Sequence, residues 1–173
     1  MMLDGQNTQG AVRLAVVDDH PLFRDGVIAS LSADKSIDIV GQGATAEQAV
    51  QISQDLLPDI LLLDISIPGD GIAAMREINR LCPFVKVIML TASEDEQNVS
   101  AALEAGARGY ILKGVGAQEL VRTVHAVNHG ESYVTPQLAA RLLTMMRTAK
   151  GAPNVQEDLP GLTRREEQIL DAV

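Results

Sequence analysis

Five short apolar runs, at residues 12–17, 37–40, 60–63, 85–90 and 109–112, constrain this chain more than any other feature. Short runs of this kind, bounded by turn residues, read as strands buried on both faces. Between them the apolar residues recur at helical spacing. Phe23, Val27 and Leu31 mark a first helix that opens at Pro21, and Ala46, Ala49, Val50, Ser53 and Leu57 mark a second that Pro58 closes. Ile72, Met75, Ile78 and Cys82 give a third, closed by Pro83. Val99, Ala102, Leu103 and Ala105 give a fourth, ended by Gly106, and Leu120, Val121, Val124 and Val127 give a fifth. Strands that alternate with helices through short connections predict an α/β fold, a doubly wound five-stranded parallel sheet in (βα)5 order.

Right-handed crossovers bring all the carboxyl ends of such a sheet to one edge, where open α/β sheets hold their ligands. Those ends carry Asp18 and Asp19 after the first run, Asp64 after the third, Thr91 after the fourth and Lys113 after the fifth. Alone, Asp64 is ambiguous: a carboxylate before a Pro-Gly turn can bind metal, act as a nucleophile or cap the next helix. Together the acids are more telling. Three carboxylates at close range repel, so either one stays protonated or a hard cation neutralises them. Mg²⁺ suits an oxygen donor set that also meets phosphate, and an ammonium beside it suits a site that holds a phosphoryl group.

The chain's 173 residues and formal net charge of -9 argue for one domain with an appendage and against broad attachment to nucleic acid or anionic membrane. Cys82 is the single cysteine, so no internal disulfide forms. No basic and apolar leader opens the chain and no run approaches spanning length, which predicts a cytoplasmic protein without a membrane partner.

The stretches VVDDHPLFRDG, LLLDISIPG, MLTAS and GYILKG resemble, residue by residue, the receiver domain of two-component response regulators. The resemblance implies a flavodoxin-like, CheY-like fold over residues 12–131. It implies that Asp64 is phosphorylated by a phosphohistidine on a sensor histidine kinase or phosphotransfer protein. It further implies that Asp18, Asp19, Asp64 and the backbone carbonyl of Ser66 hold Mg²⁺, and that Thr91 and Lys113 contact phosphoryl oxygens. In the family the residues matching Thr91 and Tyr110 form the switch, and those matching Ser66 and Ser93 tune the phosphoryl lifetime. From the sequence alone Tyr110 reads as a half-buried strand residue. Such a protein is a switch rather than an enzyme that turns over substrate, and phosphorylation is expected to favour a homodimer.

The later segments GYILKGVGAQELVRTVHAV, SYVTPQLAARLL and LTRREEQIL resemble regulators of the NarL/FixJ type, with a LuxR-type helix-turn-helix output. The expected organisation is a mobile tail at 1–11, the receiver, a linker helix at 132–150, a flexible linker at 151–161 and the start of a truncated output domain at 162–173. DNA would be reached only through the part of that domain that is missing. The linker helix carries Leu138, Leu142, Leu143, Met145 and Met146 as a broad apolar stripe, suited equally to packing on its own domain or to a dimer seam. Two departures from the family stand out: Gly114 replaces a common proline after the lysine, and the IPGDG loop is a residue short.

Rival readings exist. Gly41-Gln42-Gly43-Ala44-Thr45-Ala46 fits a G-x-G-x-x-A dinucleotide fingerprint, which would make the chain an oxidoreductase domain. A flavodoxin-like module that binds a ligand without phosphoryl chemistry, or a degenerate receiver, is the other alternative. His20 lacks a second ligand at zinc spacing and is expected at the cleft rim. His125 and His129, at i and i+4, read as surface residues.

Overall fold

A computed structural model describes residues 10–92 and 96–134, together with 136, 139, 140, 143, 144 and 147. Residues up to Thr135 form one compact unit and those from Pro136 another. In the first, β1 (Val12–Val17), β2 (Ile37–Gly43), β3 (Ile60–Asp64), β4 (Lys86–Thr91) and β5 (Gly109–Leu112) alternate with α1 (Pro21–Ser32), α2 (Ala46–Leu56), α3 (Gly71–Leu81), α4 (Glu96–Glu104) and α5 (Ala117–Asn128). All strands pair in parallel in the order β2-β1-β3-β4-β5, as the alternation predicts.

Side chains on a strand alternate between faces. Val12, Leu14, Val16, Ile60, Leu62, Ile88, Leu90 and Ile111 therefore share one face, where they pack in a single cluster with Val27 and Leu31 of α1 and Leu120, Val124 and Val127 of α5. The intervening Ala15, Val17, Leu61, Leu63, Val87 and Met89 are equally buried on the other face. A strand that is apolar at every position thus serves two helical layers, and the five residues of β3 are all buried.

The sheet differs from the expected five strands by one. Tyr133 and Val134 form a sixth strand, β6, that pairs in parallel with Gly109 and Tyr110 of β5. The Tyr133 hydroxyl donates to Glu119 of α5, which fixes this edge to the helix. Two residues carry no period, so nothing in the sequence sets these positions apart from the linker helix expected at 132–150. Also, β2 runs through Gly41 and Gly43, with a bulge where Leu14 and Ala15 pair with Ile39 and Gly41. Cys82 is buried at the end of α3, and burial pushes its thiol pKa up, in keeping with a packing role.

In the second unit, the described residues between 136 and 147 are helical, and the Thr144 hydroxyl donates to the Ala140 carbonyl at 3.1 Å. Of the apolar stripe expected there, only Leu143 lies among the described residues. The N-terminal tail through residue 9, Ser93, the linker at 151–161 and the 162–173 segment lie outside them. Among the described residues no helix is long and apolar enough to cross a membrane.

Candidate functional site

The carboxyl ends of β1, β3, β4 and β5 meet as the topology requires. Asp18 follows β1 directly, and its backbone N–H donates to the Gly43 carbonyl at 3.0 Å, so the first loop is tied to the end of β2. Arg24 reinforces that tie. Its Nη1 donates to the Asp18 carbonyl at 2.7 Å and to the Gly43 carbonyl at 3.3 Å, while Nε donates to Gln42 Oε1 at 3.0 Å. Nothing in the sequence marks Arg24 for this task, because its partners lie on another strand.

Asp64 ends β3, and the chain turns at once. The Ser66 N–H donates to Asp64 Oδ1 at 3.2 Å, and the Ile65 N–H donates to the Leu90 carbonyl at 3.0 Å. Asp70 then caps α3, accepting from the N–H groups of Ile72 and Ala73 at 3.0 and 3.2 Å. Gly71 is required behind this turn. A Cβ there would stand 2.6 Å from the Asp64 carbonyl oxygen and 2.8 Å from that of Ile65, closer than any side chain tolerates.

Asp18 and Asp64 are wholly buried, whereas Asp19 is exposed. Lys113 reaches across from the end of β5, with Nζ 2.7 Å from Asp18 Oδ2 and 3.2 Å from Asp64 Oδ2. Its ammonium also lies 4.6 Å from the centre of the Phe23 ring, a cation–π contact that holds it over the pocket. The peptide bond after Lys113 is trans, as are all described ones. Thr91, buried at the end of β4, pairs with Leu112, and its carbonyl accepts from the Lys113 N–H at 2.8 Å. Tyr110 is wholly buried on β5, not half-buried. The sixth strand covers what would otherwise be the open edge beside it.

Burial raises the Asp64 pKa above the usual carboxylate range. The Ser66 N–H opposes that shift, the charge of Asp18 adds to it, and Lys113 opposes it. Asp18 Oδ2 and Asp64 Oδ2, both fully enclosed, face the Lys113 ammonium as their one polar neighbour of opposite charge within 3.2 Å. Lys113 alone therefore leaves acceptor capacity in the pocket. One oxygen from each of Asp18, Asp19 and Asp64 and one nitrogen from His20 lie within 4.8 Å of one another, close enough to share an ion. His20 does sit at the rim, with its side chain 60% exposed, but its Nδ1 faces inward.

The two decoys find no site. The fingerprint glycines belong to edge strand β2, away from the β1/β3 switch point where such a turn binds a dinucleotide. His125 and His129 do not converge on an ion. His125 Nε2 lies 3.1 Å from both Asp34 Oδ2 and Ser36 Oγ, and His129 Nδ1 lies 2.7 Å from the His125 carbonyl.

Comparison with known proteins agrees with this geometry. The response regulator receiver domain family matches residues 14–125. The response regulator GacA of Pseudomonas aeruginosa is 34% identical over 161 residues, covering 91% of this chain and 73% of that protein. The transcriptional regulatory protein DegU of Brevibacillus brevis is 33% identical over 181 residues, covering 97% and 77%. Among solved structures, a two-component response regulator of the LuxR family from Aurantimonas sp. SI85-9A1 superposes with a TM-score of 0.75 at 28% identity, covering 79% of this chain and 99% of that one. With its strand order, its acidic pocket and these matches in agreement, the chain belongs to the response regulator receiver domain family.

Proposed function

We propose that Asp64 accepts a phosphoryl group from a phosphohistidine on a sensor histidine kinase or phosphotransfer protein. The observation that carries this is a wholly buried carboxylate at the end of β3, with a second acid beside it and the Lys113 ammonium at 3.2 Å. In the transfer, an Asp64 carboxylate oxygen forms a bond to phosphorus as the P–N bond to the donor imidazole breaks, and the imidazole leaves with the electron pair of that bond. The reaction needs alignment and countercharge more than covalent help. Lys113 supplies one positive charge to the transferring oxygens, and the hydroxyl of Thr91 donates to another of them.

The donor set suits Mg²⁺: it is made of oxygens, with two buried carboxylate atoms that share the single Lys113 ammonium. Asp18, Asp19, Asp64 and the Ser66 carbonyl would hold the ion, which supplies further neutralisation of the phosphoryl charge. Tyr110, buried between β4 and β6, and Thr91 together would report phosphorylation to the α4–β5–α5 surface. A change there favours a homodimer by shifting a pre-existing equilibrium. The relatives' names as transcriptional and LuxR-family regulators support a transcriptional output, with DNA contacted by a domain beyond the described residues. The chain acts as a cytoplasmic switch, not an enzyme of continuous turnover.

The test is incubation with acetyl phosphate, with and without Mg²⁺, read by intact mass. Wild type is expected to gain one phosphoryl group with Mg²⁺ and Asp64→Asn none. No gain on wild type would leave a degenerate receiver that signals by binding alone.

A further inference from the structure

Resting on the phosphoacceptor reading of Asp64, we propose that Arg24 is a positioning residue for phosphoryl transfer: it fixes the backbone of Asp18 and, through the Asp18 carboxylate, sets where the Lys113 ammonium stands. Among the described residues its side chain bonds to the Asp18 carbonyl, the Gly43 carbonyl and Gln42 Oε1, and not to Asp64 or Lys113. It therefore acts at one remove. Its place in α1 is not one that the helix favours. Arg24 ends the first turn, where the macrodipole opposes a cation, and no acid stands in that turn to offset it. The guanidinium is held by its bonds outside the helix. Nη1 joins the carbonyls that close β1 and β2, at 2.7 and 3.3 Å, and the third bond, from Nε to Gln42 at 3.0 Å, fixes the plane of the group. A lysine ammonium lacks that planar fork.

The carboxylate of Asp18 carries the effect inward. Its Oδ1 accepts from the His20 N–H at 2.8 Å, and its Oδ2 stands 2.7 Å from Lys113 Nζ, which in turn stands 3.2 Å from Asp64 Oδ2. Asp18 and Asp64 are wholly buried, so neither carboxylate can exchange the ammonium for water. A displacement of the Asp18 backbone must therefore move Lys113 relative to Asp64. Phosphoryl transfer depends on the placing of countercharge, and about 1 Å of misplacement costs about a hundredfold in rate. Arg24 guards against that displacement from outside the pocket, together with the Asp18 N–H, which donates to the same Gly43 carbonyl at 3.0 Å.

The experiment times phosphorylation of the full chain by acetyl phosphate with Mg²⁺, read by intact mass. Alongside it, the Lys113 ammonium is followed by ¹H–¹⁵N correlation at low temperature in metal-free buffer, its signal assigned by loss in Lys113→Met. Arg24→Met is expected to slow phosphorylation by about tenfold to a hundredfold and to shift or broaden the ammonium signal. Arg24→Lys keeps the charge without the fork and should recover only part of both. Gln42→Ala, at an exposed position where the fold is not at stake, should reproduce the loss in weaker form. Arg24→Met at the wild-type rate, Arg24→Lys indistinguishable from wild type, or a slowed Arg24→Met whose ammonium signal has not moved overturns the inference and leaves Asp64 standing as phosphoacceptor. A wild type that takes up no phosphoryl group overturns the phosphoacceptor reading, and the inference with it.

Discussion

Asp64 and Asp34 are the same residue type beside a histidine, and their environments drive them in opposite directions. Asp64 is buried beside another acid, and its pKa is raised. Asp34, in the connection between α1 and β2, is lowered to about 2 by the hydroxyl and the N–H of Ser36 and then by His125. At the corner every acceptor finds a donor, and the ionised carboxylate is content. In the pocket two enclosed oxygens share one ammonium, that of Lys113. The contrast separates a contact that serves the fold from one in which two buried acids share a single ammonium, as the proposed phosphoryl site requires.

The largest test of this contrast removes the cation that holds the pocket together. Lys113→Met leaves two buried carboxylates facing each other and is expected to lower unfolding free energy by about 3 kcal/mol in metal-free buffer, measured by urea titration. Added Mg²⁺ should recover part of the loss. A variant as stable as wild type without metal would mean that the acids are far better solvated than their burial indicates.

Next in size is Gly71→Ala. It drives a Cβ against the Asp64 and Ile65 carbonyls and should cost about 1–3 kcal/mol, with phosphorylation lost alongside. Full activity with unchanged stability would show that the turn behind Asp64 yields easily.

Asp64→Asn works the other way. Because the folded-state pKa is raised, ionising Asp64 costs stability, fully so above that folded value. The variant should therefore melt at a higher temperature than wild type at neutral pH without Mg²⁺. The advantage should vanish as pH falls below the ordinary carboxylate value of 3.8. A lower melting temperature at neutral pH would reverse the assignment of strain to this site.

The smallest effect belongs to Asp34→Asn, at most about 1 kcal/mol because the pair is part exposed, with phosphorylation unchanged. The sign here is opposite. Its depressed pKa contributes stability above the ordinary 3.8, which is lost as pH falls toward about 2, so wild type and variant should converge in that window.

The pocket was legible because its residues sit where apolar runs stop: Asp18, Asp64, Thr91 and Lys113 each follow a strand that burial alone defines. The corner was not. Asp34 and His125 are 91 positions apart, and no local pattern joins a loop acid to a helix histidine. Three further features were hidden for related reasons. The sixth strand has only two residues, Arg24 acts on carbonyls from two strands, and Gly71 is demanded by a carbonyl behind it that no spacing rule reveals. His20 was read by counting partners along the chain, while its partners in space are the acids already identified.

The central claim is that the phosphoryl group lands on Asp64. Reduction of the acetyl phosphate-treated chain with borohydride converts an aspartyl phosphate to homoserine, which peptide mass mapping then locates. The account predicts homoserine at position 64 alone, formed only when Mg²⁺ was present. Homoserine at position 18 or 19, or modification independent of Mg²⁺, would contradict it.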